Sequence, residues 1–206
     1  MKKIVAIALL AGLLAAPIAA LVPFNGVDGP SSDLTRKKKK RAAPLAKPSP
    51  TPAPTVAVPV VDPQSFNGRV LGSHNSERKR MGIAPLIWNA ALASQAGSWA
   101  QSLAAKGIFE HSRGRGNVGE NLWMGTSGYY APEAMIGAFV DEKQYFRPGK
   151  FPDVSSTGKW ADVGHYTQLI WPGTREVGCA KATGNGRDVL VCRYAPAGNV
   201  IGQQVP

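Results

Sequence analysis

The sequence is short of the residues that usually mark a catalytic or metal centre. Of 206 residues, 2 are cysteine and 3 are histidine. Cys179 and Cys192 form no Cys-x-x-Cys pair, which removes thioredoxin-like chemistry and a cysteine-based zinc site. No Gly-x-Ser-x-Gly segment supplies a nucleophile elbow. No period of roughly 20–50 residues recurs, so a repeat architecture is excluded. Acidic side chains number 13 against 24 basic ones, a formal charge of +11. The region after residue 62 lacks the basic and aromatic stripe of a nucleic-acid reader, so no nucleic-acid partner is expected.

What is present begins with an export signal. Lys2 and Lys3 precede an apolar run over residues 4–16, and Ala19-Ala20 offer small residues for cleavage after Ala20. The alternative is an uncleaved anchor, since apolar residues continue to Phe24. Pro17 and Pro23 interrupt that span, which is already short for a bilayer. Two cysteines suit one disulfide in an oxidising compartment, so a secreted or periplasmic location is expected.

Residues 21–62 read as a tail. Arg36-Lys37-Lys38-Lys39-Lys40-Arg41 is an unbroken basic block whose self-repulsion opposes compaction. Proline then recurs with Ala, Thr, Ser and Val up to Pro63, the composition of an extended spacer. The block is either a solvated linker or a tether to an anionic surface, at roughly 1 kcal/mol per basic residue near anionic lipid. Residues 63–206 hold 15 basic and 10 acidic side chains, a net +5.

Within 63–206 the apolar spacing predicts helices, then strands. Asp62-Pro63 is an N-cap pattern, with Phe66, Val70, Leu71 and His74 at helical spacing and Gly82 as the stop. Asn89 caps a second stripe of Leu92, Ala96, Trp99, Ala100 and Leu103, which Lys106-Gly107 ends. A third helix starts near Pro132, with Met135, Phe139, Glu142 and Phe146 on one face. A carboxylate on that face needs partners. His111 and His165, two of three histidines, are the natural candidates; with Glu120 they sit in segments resembling strand ends and turns. Residues 176–182 and 189–194 read as strands flanking Gly184-Asn185-Gly186-Arg187. If Thr183 faces Asp188, Cys179 falls opposite Cys192, and the disulfide closing that loop contributes roughly 3 kcal/mol. The fold class is α+β.

Four segments in order resemble the CAP superfamily of cysteine-rich secretory, antigen 5 and pathogenesis-related 1 proteins. They are His74-Asn75-Ser76-Glu77-Arg78, Gly119-Glu120-Asn121-Leu122-Trp123, residues 164–171 (Gly-His-Tyr-Thr-Gln-Leu-Ile-Trp) and residues 194–199 (Tyr-Ala-Pro-Ala-Gly-Asn). The resemblance implies a three-layer α-β-α sandwich with a central antiparallel sheet, and a cleft tetrad of His111, Glu120, Glu142 and His165. It also implies divalent-metal binding at the two histidines in some members, and sterol or lipid binding in others. This sequence has two cysteines where many eukaryotic members have more, so their cysteine-rich C-terminal extension is not expected here.

Two imidazoles with adjacent carboxylates suit zinc or another divalent cation. His111 and His165 would then be ligands, while Glu120 and Glu142 orient them or act on a bound water. Asn121 and Gln168 satisfy backbone groups around the cleft. Ser112 adjoins His111, but neighbours on an extended segment face apart, which speaks against a nucleophile. Arg193 could pair with a carboxylate that the sequence does not single out. Three functions follow as alternatives. One is a binding module holding a metal and a lipid or envelope polymer; another is a metal-assisted hydrolase with Glu120 or Glu142 as candidate base. The third is an envelope-attached adhesion protein.

Overall fold

A computed structural model describes residues 61–206. The expected signal, the basic block and nearly all of the proline-rich tail lie outside those residues.

The sheet is a twisted four-stranded layer. Its strands are β1 (Ile87–Trp88), β2 (Gly119–Thr126), β4 (Glu176–Gly184) and β5 (Arg187–Ala195), in the order β1-β4-β5-β2. β2, β5 and β4 are antiparallel, but the two-residue β1 runs parallel to β4, so the sheet is mixed rather than purely antiparallel. A separate ribbon pairs β3 (Gly149–Lys150) with β6 (Gln204–Val205). The β4–β5 register places Thr183 opposite Asp188 and Cys179 opposite Cys192, and the two sulfurs are bonded. The turn is tighter than the sequence suggests. Asn185 and Gly186 alone form it, both at positive φ (51° and 71°), as a two-residue hairpin of matching twist requires.

Side chains alternate across the sheet and give each face its own core. Leu122, Val189 and Val191 pack with Ala96, Ala100 and Leu103 of α2 (Ala90–Lys106). Val177, Cys179, Leu190, Cys192 and Tyr194 point the other way. They meet α1 (Phe66–Arg80), α3 (Pro132–Val140) and α4 (Gly164–Leu169). Helices on both faces make the α-β-α sandwich expected of the α+β class.

Helix ends follow local chemistry. Asn89 accepts from Leu92 N and caps α2, and Gly107 ends it at φ 66°. α1 starts three residues later than Asp62-Pro63 suggests. Asp62 folds back on Gln64 N instead, and Ser65 becomes the cap by accepting from Gly68 N. Its buried Arg78 donates to the carbonyls of Ala84, Leu169, Trp171 and Thr174, which ties α1 to the segment after α4. α3 also stops early, at Val140, and a 3-10 turn over Asp141–Tyr145 carries Glu142.

Candidate functional site: two carboxylate-held imidazoles

β2 and the loop before it build the first half of the site. His111 Nδ1 lies 2.9 Å from Glu120 Oε1, which also accepts from Ser112 N at 2.9 Å. Glu120 Oε2 accepts from Ser112 Oγ at 2.7 Å. The guanidiniums of Arg115 and Arg193 stand 3.3 and 3.4 Å from the same carboxylate. Ser112 therefore does not turn away from His111; the two converge on one acceptor, and Ser112 is spent on it. Burial opposes ionisation of Glu120, but the donors His111 and Ser112 and the Arg115 charge outweigh it and hold the carboxyl below its usual range.

The second half joins the turn after α3 to the start of α4. His165 Nδ1 lies 2.5 Å from Glu142 Oε1. Glu142 Oε2 accepts from the backbone N–H of His165 and Tyr166, at 2.9 and 3.0 Å, and so caps α4 from outside. Phe139 stacks on the imidazole with centroids 5.1 Å apart and planes 19° from parallel. His165 thus stands on a six-residue helix, not the turn its sequence resembles.

Consecutive residues of β2 connect the halves. Glu120 holds His111, and Asn121 Nδ2 donates to the His165 carbonyl at 3.0 Å. Behind Asn121 runs a buried relay. His74 donates from Nδ1 to the Val70 carbonyl, the Tyr194 hydroxyl donates to His74 Nε2, and Asn121 donates to that hydroxyl oxygen. Burial, reinforced by Arg78 and only partly offset by the Val70 bond, pushes His74 down to about 4. Gln168 accepts from Gly198 N and donates to Thr174 Oγ1, so it too serves local groups.

The outcome is the same on both sides. A carboxylate only accepts, so each Nδ1 carries a proton, and in the neutral ring that tautomer leaves the lone pair on Nε2. Neither Nε2 has a hydrogen-bond partner among the described residues. The Glu120 carboxylate is sequestered and that of Glu142 is half-buried, while the imidazole side chains of His111 and His165 remain 41% and 23% exposed. Among the described residues, one group of three His, Cys, Asp or Glu donors lies within 4.8 Å of one another: His74, Cys179 and Cys192. Its sulfurs are bonded together and both His74 nitrogens are engaged, so it holds no metal. Each pair thus leaves one imidazole nitrogen of the kind that ligates divalent cations.

Residues 71–194 match the model of the cysteine-rich secretory protein family, CAP. The chain belongs to this family. The CAP region is 37% identical over 134 residues to pathogenesis-related protein 1B of Nicotiana tabacum, covering 65% of this chain and 76% of that one. It is 34% identical over 140 residues to secreted protein RBT4 of Candida albicans, covering 66% of this chain and 36% of the other. The crystal structure of NaASP2 with Zn2+ superposes with a TM-score of 0.58 at 24% identity, covering 66% of this chain and 82% of NaASP2. That likeness is one of fold.

Within the CAP domain, the sequence singles out His111, Glu120, Glu142 and His165 but not their pairing: of the two histidines offered as partners of Glu142, His165 alone bonds it, and His111 goes to Glu120. Arg115 and Arg193 were invisible as partners of Glu120, because only the β2–β5 register sets Arg193 opposite it. Tyr194 looked like one more strand aromatic. The clue to it was His74, a histidine on an apolar helix face that needed a buried partner.

Proposed function

We propose that this CAP domain is an exported binding module whose His111 and His165 together hold one divalent cation, with zinc the best match to the donors. The observation that carries the reading is the state of the two rings: each Nδ1–H is locked by a carboxylate, buried in Glu120 and half-buried in Glu142, and each Nε2 is left without a partner among the described residues. A carboxylate behind the imidazole raises ligand basicity and fixes the tautomer that a metal needs. When bound, the cation supplies a charged centre to which an anionic or carbonyl group of a ligand can attach. The crystal structure of NaASP2 with Zn2+ gives the reading a precedent within the same fold. Export draws support from the signal-like first 20 residues and from the relative named as a secreted protein.

The geometry gives no matching support to metal-assisted hydrolysis. Both oxygens of Glu120 and of Glu142 already accept from donors, so neither is a poised base. A lipid or sterol ligand draws no support from the cavity that lies away from the two His–Glu pairs. The cavity between the end of α2 and the β4–β5 hairpin is about 220 Å³, below the range of roughly 300–1,000 Å³ usual for ligand pockets. A lipid or envelope polymer remains a proposal for the exposed surface, and the Arg36 to Arg41 block a proposal for tethering to an anionic one.

Isothermal titration of the purified chain with zinc tests the reading. The expected result is one ion per chain, with affinity falling more than about tenfold in both His111→Ala and His165→Ala while circular dichroism stays unchanged. No binding, or loss in one variant alone, overturns a shared site.

A further inference from the structure

We propose that the turn after β2 carries a glycan-binding platform, in which Tyr129 and Tyr130, packed on Trp123, take the C–H face of a neutral pyranose chain. The proposal stands apart from the metal site and uses none of its residues.

Direct contact makes the three rings one surface. Tyr130 meets Trp123 edge-on with centroids 5.0 Å apart, and Tyr129 meets Tyr130 in the same way at 4.9 Å. Exposure rises along the series, from half-buried Trp123 through Tyr130 at 39% to Tyr129 at 77%. The backbone beneath is clamped. Tyr129 N donates to the Thr126 carbonyl, Ser127 N to the Gly186 carbonyl and Gly128 N to Asp188 Oδ2. The Ala131 carbonyl then accepts from Ala134 N and Met135 N at the start of α3. The rings are therefore in place before any ligand arrives, which lowers the ordering cost of binding. Packing explains part of the cluster. A Cβ on Gly125 would lie 2.3 Å from Trp123 Cη2 and 2.8 Å from Tyr130 Cε2, so those two rings fill the gap left by a strand glycine. Tyr129 fills no such gap, and among the described residues Tyr130 is the one ring it touches.

Charge and hydrogen bonding select the occupant. Trp123 packs on the core that faces α1, α3 and α4. On that face Asp188 is the ladder partner of Gly125, and Lys181 Nζ stands 2.7 Å from its carboxylate. Glu133, at the start of α3, is held through both oxygens by Arg69, at 2.7 Å each. Arg187 turns to the opposite face of the sheet, where its guanidinium reaches Met124 Sδ. These charges are paired or directed away, and the surface they leave is neutral. An anionic lipid or a charged peptide finds no counter-charge there. The exposed tip Thr126-Ser127-Gly128 carries no Leu, Ile, Val or Phe, so it has no side chain to sink into an acyl layer. Neither tyrosine hydroxyl has a hydrogen-bond partner among the described residues. Free hydroxyls thus stand beside exposed ring faces. A pyranose matches both features. Its C–H bonds turn partial positive charge toward the negative face of an aromatic ring, and its hydroxyls exchange hydrogen bonds with the phenols.

Calorimetric titration of the purified chain with cellohexaose and with the hexamer of N-acetylglucosamine, both uncharged, tests the proposal. At least one hexamer should bind, equally at low and high salt and equally with EDTA present. Tyr129→Ala should weaken that binding about tenfold. Tyr129→Phe keeps the ring and should keep most of the affinity. The side chain is exposed, so neither change disturbs the core. No binding of either hexamer, or binding that Tyr129→Ala leaves unchanged, overturns the proposal. Binding abolished by EDTA also overturns it, because the ligand then sits on a cation and not on the rings. Uptake of decaproline with neither hexamer bound makes the surface a peptide groove, and the glycan assignment falls.

Discussion

Glu120 and His74 respond to acid for opposite electrostatic reasons, and the two effects separate by pH. The folded state holds the Glu120 carboxyl below its ordinary value of 4.5. Its contribution is therefore fully present above that value and is lost as pH falls through the lower folded value. His74 is neutral in both states near pH 7. The unfolded chain takes up a proton around 6.5, whereas the folded chain resists until about 4. Stability should thus decline between those two pH values, by roughly 3 kcal/mol. Urea midpoints measured from pH 7 to pH 4 will show that decline in the wild type and a flatter profile in His74→Gln, whose amide can replace both ring contacts. Equal slopes would mean that His74 ionises freely in the fold. At this scale much was legible. Three histidines and one carboxylate on an apolar face are few enough to single out. Arg193 reads only as a partner for some carboxylate, because a charge paired across strands leaves no local pattern, and Arg115 lies in the irregular loop before β2.

The helices α2 and α3 show which elements announce themselves. Asn89 and Gly107 bracket α2 because cap chemistry is local. α3 was legible at Pro132 and misleading at its end, since the apolar spacing runs on to Phe146 while the chain switches to a 3-10 turn at Asp141. The switch serves Glu142, which caps α4 and holds His165, a tertiary demand that spacing does not encode. β1, β3 and β6 have two residues each, too few for any periodicity. Packing of α2 on β4 depends instead on one small residue. A Cβ on Gly178 would lie 2.2 Å from Ala93 N and 2.5 Å from the Asn89 carbonyl, both backbone atoms. Gly178→Ala should cost about 3 kcal/mol in thermal or urea unfolding, since neither neighbour can yield without moving the helix. Gly72→Ala makes the contrast: it lies on the exposed face of α1 with nothing within 4 Å, and should gain about 0.5–1 kcal/mol. A Gly178→Ala chain as stable as wild type would show that α2 is not seated through this contact.

The whole molecule divides the site between its layers. Glu120 lies on the α2 side of the sheet with Arg193, whose guanidinium reaches Gln95 of α2. Asn121 faces the layer of α1, α3 and α4, where it holds the His165 backbone. Both layers must therefore be packed on β2 for the two imidazoles to keep their places. The Cys179–Cys192 bond spans adjacent strands inside one of those cores, 13 residues apart in sequence. A loop of that size contributes about 3 kcal/mol by restricting the unfolded chain. It touches neither His–Glu pair, and the Asn185-Gly186 turn fixes the same register independently. Replacing both cysteines by alanine should accordingly lower the urea-derived stability by about 3 kcal/mol while leaving zinc affinity and stoichiometry at wild-type values. If the double variant instead folds normally but loses zinc, the positions of His111 and His165 depend on the covalent link and not on the two packed faces.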